Sequence, residues 1–453
     1  MIDVKEHVYH DDPKAGHPDV MTQLRNVSYY FIGNGLVQAA VQHAPAGEGT
    51  PYGLLLMDPK QLKMKREALS LDPGTGLERT MLFIRSDGAA APLKRDKLTV
   101  RWDKCDGVPA VRVEWKTRML DVSELFYCPD RSTARLTREI HLRNHTSTPC
   151  RCSVETGIRS QTVARDLNLA PGREIALSLV YSMGWNPLQV AFEFADQKPS
   201  ILEARRYWNA AARVQFESPR IDHLFQAAAF QLPSVISRTG RMDAGIWQYL
   251  REWVRDQAIM AHALAQLEPL WNQGWKIGGY GRYHMDSDPD SPGPWPFASL
   301  YIARAYLERR EWDKVWRVID WLASLPQYPS GAFFEMYGDR IAPPYAQNGI
   351  VAWSWAETIT MVVKNILGFQ PEEDAIRMRP RLLPGFKVAK GVVPFRGHRV
   401  LFQLTAEERI DRPRFEVSAK HAEADGDSVR IPFADADICI EGKIPAQRMT
   451  AHE

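Results

Sequence analysis

The residue types with most chemistry are gathered between positions 247 and 355. Ten of the fourteen tryptophans fall there, from Trp247 to Trp355, interleaved with carboxylates and arginines. An indole offers a flat apolar face and one N–H donor, which suits stacking on a sugar ring. Any single tryptophan reads more simply as part of an aromatic helical core; the cluster points to a polyhydroxylated ligand. Trp253-Val-Arg255-Asp256 precedes a helical run. A guanidinium donates in a fork and a carboxylate accepts, so this pair suits vicinal hydroxyls, or a salt-bridged helix start. The stretch from Trp271 to Trp295 is rich in Gly, Pro, Asp and aromatics, and irregular stretches of that length usually serve function. Arg282, Tyr283, His284, Asp286, Asp288 and Asp290 are candidates to line a pocket, with Trp295 a further stacking candidate. Asp286 to Asp290 lacks the glycine and final glutamate of an EF-hand loop, so calcium is not expected. Gly331-Ala-Phe-Phe-Glu335 sets a carboxyl among apolar and aromatic residues. That setting fits tuned acid–base work, or simply a turn glutamate. Trp353-Ser-Trp355-Ala-Glu357 opens a predicted helix, where Glu357 either accepts a sugar hydroxyl or favours the helix N-terminus.

The elements that must carry these residues follow from periodicity. Val111–Trp115, Ala134–Arg143 and Glu174–Tyr181 alternate, and Gly33-Asn34-Gly35 marks a tight turn. Short period-two runs between Gly, Pro, Asp and Asn clusters predict an antiparallel sandwich. From Pro219, with Ser218 as a cap, Ile221, Leu224, Phe225 and Ala228 share a helix face. Further faces are Ile259–Leu267, Leu300/Ala303/Leu307, Val315/Ile319/Leu322 and Ala356/Ile359/Val363/Ile366. Glu308 to Trp312 joins two of these as an αα-hairpin. After Gly368 short β runs return, at Ile376, Val392, Val400, Phe415 and Ala436. The expected class is α+β and multidomain. It comprises an antiparallel β super-sandwich (1–205), a linker helix (206–240), an incomplete (α/α) toroid-type helical domain (241–370) and a small C-terminal β cap (371–453).

Composition narrows the partners. A chain of 453 residues suits two or three domains. The formal charge of +2 leaves no basic footprint for nucleic acid. Twelve histidines are scattered without ligand spacing, so neither a metal nor a cofactor is expected. Of five cysteines, Cys150 and Cys152 are too close for an ordinary bridge and lack a second zinc-binding pair. The start of the chain has no apolar h-region and no run reaches eighteen apolar residues. No membrane contact and a reducing, cytoplasmic setting are expected.

A β super-sandwich, a linker helix and then Trp-x-Arg-Asp before a helix resembles the opening of inverting glycosidases with an (α/α)6 barrel, in particular the glucoamylase-like family. Gly331-Ala-Phe-Phe-Glu335 is similar to that family's Gly-x-x-x-Glu base loop, and Trp353-Ser-Trp-Ala-Glu357 to the Trp-Ser-x-Ala-Glu helix that follows it. The layout is shared over residues 25–400, the motifs over about 247–360. The resemblance implies an oligosaccharide or α-glucoside substrate and Arg255 and Asp256 gripping the terminal sugar. Trp253, Arg282, Tyr283, Trp295, Trp355 and Glu357 would surround it, and Glu335 would activate water. Such enzymes need two carboxyls about 6.5–9.5 Å apart. In the family the acid lies between the Arg-Asp motif and the base loop. Here positions 256 and 331 are 75 apart, whereas twelve helices need on the order of 250 residues. The middle of the barrel and its acid are expected to be missing, with Glu252, Asp288 and Asp290 as poor substitutes. A non-catalytic glycan-binding or regulatory module is one alternative. An inverting sugar phosphorylase, with phosphate in place of the base, is another. An incomplete ring predicts open apolar faces near Trp312, Trp316 and Trp321. These would drive self-association, or be covered by the Trp271–Trp295 stretch.

One consequence is testable at once. Asp256→Asn should weaken sugar binding several-fold while the fold persists, since a charge-assisted hydrogen bond is worth roughly 1.5–3 kcal/mol. Equal affinities by calorimetry would remove the Arg255–Asp256 grip.

Overall fold

The expected alternation resolves into antiparallel strands in a computed structural model. It describes residues 27–45, 50–57, 77–86, 89–91, 93–158, 160–184, 189–211, 213–234, 278–280, 294–335, 337, 350–419, 421–433 and 436–449. The first strands are β1 (Ser28–Gly33), β2 (Gln38–His43), β3 (Tyr52–Met57), β4 (Phe83–Ser86), β5 (Ala89–Ala90) and β6 (Thr99–Cys105). They continue as β7 (Val108–Lys116), β8 (Leu120–Tyr127), β9 (Arg135–Asn144), β10 (Cys150–Ile158), β11 (Gln161–Leu169), β12 (Glu174–Gly184) and β13 (Gln189–Ala195). Three antiparallel sheets result, in the orders β1-β2-β3, β11-β10-β4-β5 and β13-β12-β9-β8-β7-β6. The turn between β1 and β2 closes on Asn34, whose Oδ1 accepts from the N–H groups of Leu36 and Val37. All five cysteines are free thiols.

A buried ion pair ties the three sheets together. Glu124 on β8 and Arg138 on β9 point into the same apolar interior as Leu120, Val122, Leu136 and Ile140. The Arg138 Nε–Glu124 Oε2 distance is 2.6 Å. Tyr52 of the first sheet and Trp115 of the third donate to Glu124 Oε1 at 2.7 and 3.1 Å. Arg138 also donates to Thr80 O and to Thr156 Oγ1 on the second sheet. Burial and the adjacent carboxylate push the Tyr52 phenol well above its usual range. A buried charge is tolerated only when paired and hydrogen-bonded, and both conditions hold here.

Helices follow: α1 (Leu202–Ala210), α2 (Pro219–Gln231), α3 (Pro296–Arg309), α4 (Trp312–Ser324) and α5 (Trp353–Thr360). α2 buries Ile221, Leu224, Phe225 and Ala228 as its pattern predicts. Ser218 makes no side-chain capping bond; Asp222 reaches back instead to the N–H groups of Phe216 and Ser218. α3 and α4 form the expected αα-hairpin, turned by Arg310 in the left-handed region. The last expected face is shifted. The chain widens into a π-turn over Met361–Ile366, so Met361, Val362 and Ile366 are buried while Ile359 and Val363 are only half-buried. The predicted helix at Ile259–Leu267 lies outside the described residues.

The C-terminal strands are β14 (Arg213–Gln215), β15 (Phe369–Pro371), β16 (Ala375–Met378), β17 (Val388–Phe395) and β18 (His398–Glu407). They end with β19 (Arg414–Val417), β20 (Glu423–Asp425), β21 (Ser428–Pro432) and β22 (Ile438–Pro445). Their sheets run β14-β17-β18-β22-β19 and β15-β16-β21-β20. β14, from the segment between α1 and α2, becomes an edge of the C-terminal sheet, and β18 pairs with β22 in parallel. Helices and C-terminal sheets share one apolar core. The chain is therefore an N-terminal β sandwich followed by a limited helical region and C-terminal β sheets. No helix among the described residues is long and apolar enough to cross a membrane.

The expected open apolar faces are absent at the three tryptophans in question. Trp312 and Trp321 are buried. Gly278 and Gly279 lie against the Trp321 ring, so close that a Cβ on either would come within 2.5 Å of it. Trp316 packs edge-on to Phe386 of the C-terminal region at 5.8 Å, under the Arg220 guanidinium. Intramolecular cover removes the basis for self-association through these residues.

Glu124→Gln leaves the Arg138 guanidinium buried without a counter-charge. It should cost about 3–5 kcal/mol in a denaturant titration, and Glu124→Gln/Arg138→Met should recover most of that. A single substitution no costlier than a surface change would show that the pair does not hold the sheets.

Candidate functional site

The loop from Gln327 to Glu335 is built on two carbonyl oxygens. Ser330 O accepts from Gln231 Nε2 at the end of α2 (2.8 Å) and from Trp102 Nε1 on β6 (2.9 Å). Gly331 O accepts from Trp355 Nε1 on α5 at 2.8 Å. Gly331 has φ +70°, and a Cβ there would lie 2.6 Å from the Ala227 side chain on α2. Both the left-handed backbone and the close helix require glycine at this point of the Gly-x-x-x-Glu pattern.

A second chain of bonds runs from the sandwich to the residue before Glu335. Gln327 Nε2 donates to Val27 O, just before β1, and Gln327 Oε1 accepts from the Tyr337 hydroxyl, both at 2.8 Å. That hydroxyl in turn accepts from Phe334 N–H at 3.3 Å. Phe334 is bridged to Ile350, and Tyr337 N–H donates to Pro294 O at 3.0 Å. Glu335 therefore sits between the segment entering α3 and the segment entering α5, and its residue is 4% exposed.

Four of the described helices meet at this place. The C-termini of α2 and α4 and the N-termini of α3 and α5 meet there, because the α3–α4 pair is antiparallel and the Gln327–Glu335 loop follows α4. Ser234, Gly278, Tyr280 and Pro294 flank the stretches that carry Trp253, Arg255, Asp256, Arg282 and Tyr283. Trp295 N–H donates to Tyr280 O at 2.8 Å, and Gly278 rests on Trp321. Those five candidates lie outside the described residues, as do Glu252, Asp288 and Asp290.

Four candidates are described. Trp295 is buried with Ala298 against Trp353, beside the Pro294 contact of Tyr337. Trp355 is 1% exposed, with its N–H on Gly331 and its ring 5.6 Å from Phe31 on β1; it positions the loop. Glu357 lies two residues further along α5 and pairs with Arg304 of α3 at 2.6 Å. Arg304 also donates to Asn365, and Asn365 to Glu308, which pairs with Arg381. Burial raises the Glu357 carboxyl above its usual range, and Arg304 opposes that rise. Glu357 thus joins α3 to α5 and through Glu308 to the C-terminal region.

Periodicity carried no sign of several residues that shape this end. Gln231 fills both ends of its amide with backbone partners, Gln327 bonds a backbone carbonyl and the Tyr337 hydroxyl, and Trp102 comes from the sandwich. Trp353 is half-buried beside Trp295; its place two residues before Trp355 turns it to another side of the same helix.

No protein-family model matches the chain, and no curated protein matches it. Among solved structures, one similar chain is titled "Putative kojibiose phosphorylase from human microbiome". It is 8% identical, the match covers 89% of this chain and 92% of that one, and the TM-score is 0.35. At that identity and TM-score the likeness carries no weight.

Trp355→Phe keeps an aromatic side chain, though a smaller one, and deletes the donor to Gly331 O. It should cost about 1–3 kcal/mol, the penalty of an unsatisfied buried carbonyl. Gly331→Ala should cost more, through both strain and the Ala227 contact. Thermal melts of the two variants give the comparison; a silent Gly331→Ala would contradict the loop geometry.

Proposed function

We propose that the chain acts on glycosidic bonds of α-glucosides as an inverting glycoside hydrolase of glucoamylase-like architecture, with Glu335 as the general base. The observation that carries this is the built position of Glu335. Its carboxyl is buried on a loop whose glycine admits no side chain. The loop is pinned by the tryptophan of the Trp-Ser-Trp-Ala-Glu helix, where α3 and α5 begin. The order of the sequence motifs supports the same role.

In such a reaction Glu335 takes a proton from water as the water oxygen bonds to the anomeric carbon. The bond to the leaving oxygen breaks on the opposite face, and a second carboxyl supplies that oxygen with a proton. Arg255 and Asp256 would hold the terminal sugar. The acid is unassigned; Glu252, Asp288 and Asp290 lie outside the described residues. A phosphorylase would bring a phosphate dianion to the place of the water, and a carboxylate there would repel it. Glu335 therefore favours hydrolysis.

With the general-acid segment missing, the wild-type protein should release glucose only slowly from maltose or isomaltose, at a rate independent of added phosphate, and faster from a glucoside with a good leaving group. Glu335→Gln should lower that rate by about 10²–10⁴-fold with an unchanged circular dichroism spectrum. Phosphate-dependent release of a glucose phosphate would favour the phosphorylase. Sugar binding without turnover would leave a glycan-binding module.

A further inference from the structure

A cleft of about 860 Å³ opens between α2, the end of β6 and the C-terminal sheet. Strand register orders its sheet side. Gln215, Lys390, Gln403 and Glu441 stand directly opposite one another across β14, β17, β18 and β22. Arg213, Val392, Leu401 and Cys439 form the neighbouring row. Residues opposed in this way share a face of the sheet, and both rows line the cleft. Gln226 and Phe230 of α2 and Lys104 of β6 complete it. The Phe230 ring stands edge-on to Trp102 at 5.5 Å and to Trp208 at 5.9 Å.

The chemistry of this lining is balanced. Three side-chain amides each donate and accept, the Lys and Arg groups donate, and Glu441 accepts. Three cations (Lys104, Arg213, Lys390) face two carboxylates (Asp222, Glu441), so the charge favours neither an anion nor a cation strongly. Asp222 is already engaged by the N–H groups of Phe216 and Ser218. Val392, Leu401 and Phe230 add apolar surface. A neutral chain with many hydroxyls and apolar ring faces matches this mixture. The volume lies in the upper part of the range of about 300–1,000 Å³ seen for small-molecule pockets.

We propose that this cleft is a carbohydrate site, binding an oligosaccharide chain apart from the place of Glu335. The two places share α2 but use different sides of it. Gln231 turns to Ser330, whereas Phe230 and Gln226 line the cleft. Trp102 touches both, through its ring to Phe230 and its N–H to Ser330 O. The proposal rests on the carbohydrate reading only for the choice of probes.

The test uses the full chain carrying Glu335→Gln, which should not consume its ligand, titrated with maltoheptaose and with isomaltoheptaose. Lys390 and Gln403 are exposed, so Lys390→Ala/Gln403→Ala should leave the melting temperature unchanged. Added to Glu335→Gln, that double change should weaken binding of at least one heptasaccharide roughly ten-fold, as two lost hydrogen bonds would. In the otherwise wild-type chain it should leave maltose turnover unchanged. Failure of both heptasaccharides to bind the Glu335→Gln chain would overturn the proposal, as would binding that the added double change does not weaken. Cleft-dependent binding by a chain that never turns over maltose would remove the hydrolase reading and leave the cleft. Turnover together with unchanged heptasaccharide binding would remove the cleft alone.

Discussion

Two consecutive carbonyl oxygens, on Ser330 and Gly331, hold the candidate site in place. They take hydrogen bonds from Gln231, Trp102 and Trp355, on α2, the sandwich and α5. Each such bond contributes only about 0.5–1.5 kcal/mol net, but a buried carbonyl left without its donor costs about 1–3 kcal/mol. The loop conformation therefore depends on three elements being present together. Gly331 makes this possible, because its backbone lies against Ala227 in a conformation that a side chain would strain. Glu335 inherits its position from that arrangement.

The sandwich has a direct part in this. β1 lies under the loop, with Val27 O held by Gln327 and the Ser28 hydroxyl donating to Pro326 O at 3.1 Å. β1 belongs to the small sheet that Tyr52 joins to the Glu124–Arg138 pair. A polar network inside the sandwich thus bears on the geometry of a carboxyl in the helical region. Replacing that network by apolar residues could raise stability while loosening the tie between the sheets.

Local pattern made much of the fold legible. The strands near Val111, Arg135 and Glu174, the apolar face of α2 and the α3–α4 hairpin all follow from periods of two and 3.6. Pairings between distant segments leave no such mark. Nothing in Arg213-Val-Gln215 announces an edge strand of the C-terminal sheet, and nothing in Val400–Leu404 announces a parallel partner at Ile438. Arg138 sits in phase with Leu136 and Ile140, yet its charge masks it as a core residue until Glu124 is seen beside it. The tryptophans show the same limit. Their number marks an aromatic region, but Trp312, Trp321 and Trp355 are buried packing and positioning residues. Motif order singled out Glu335; its support from Gln231, Gln327 and Tyr337 came only with the tertiary contacts.

The central claim is that Glu335 activates water opposite the leaving group. It is tested most directly by following hydrolysis of α-glucosyl fluoride with proton NMR, a substrate whose good leaving group lessens the need for acid help. β-Glucose as the first-formed product, lost in Glu335→Gln, is the predicted result. α-Glucose appearing first, or release that persists undiminished in Glu335→Gln, would contradict it.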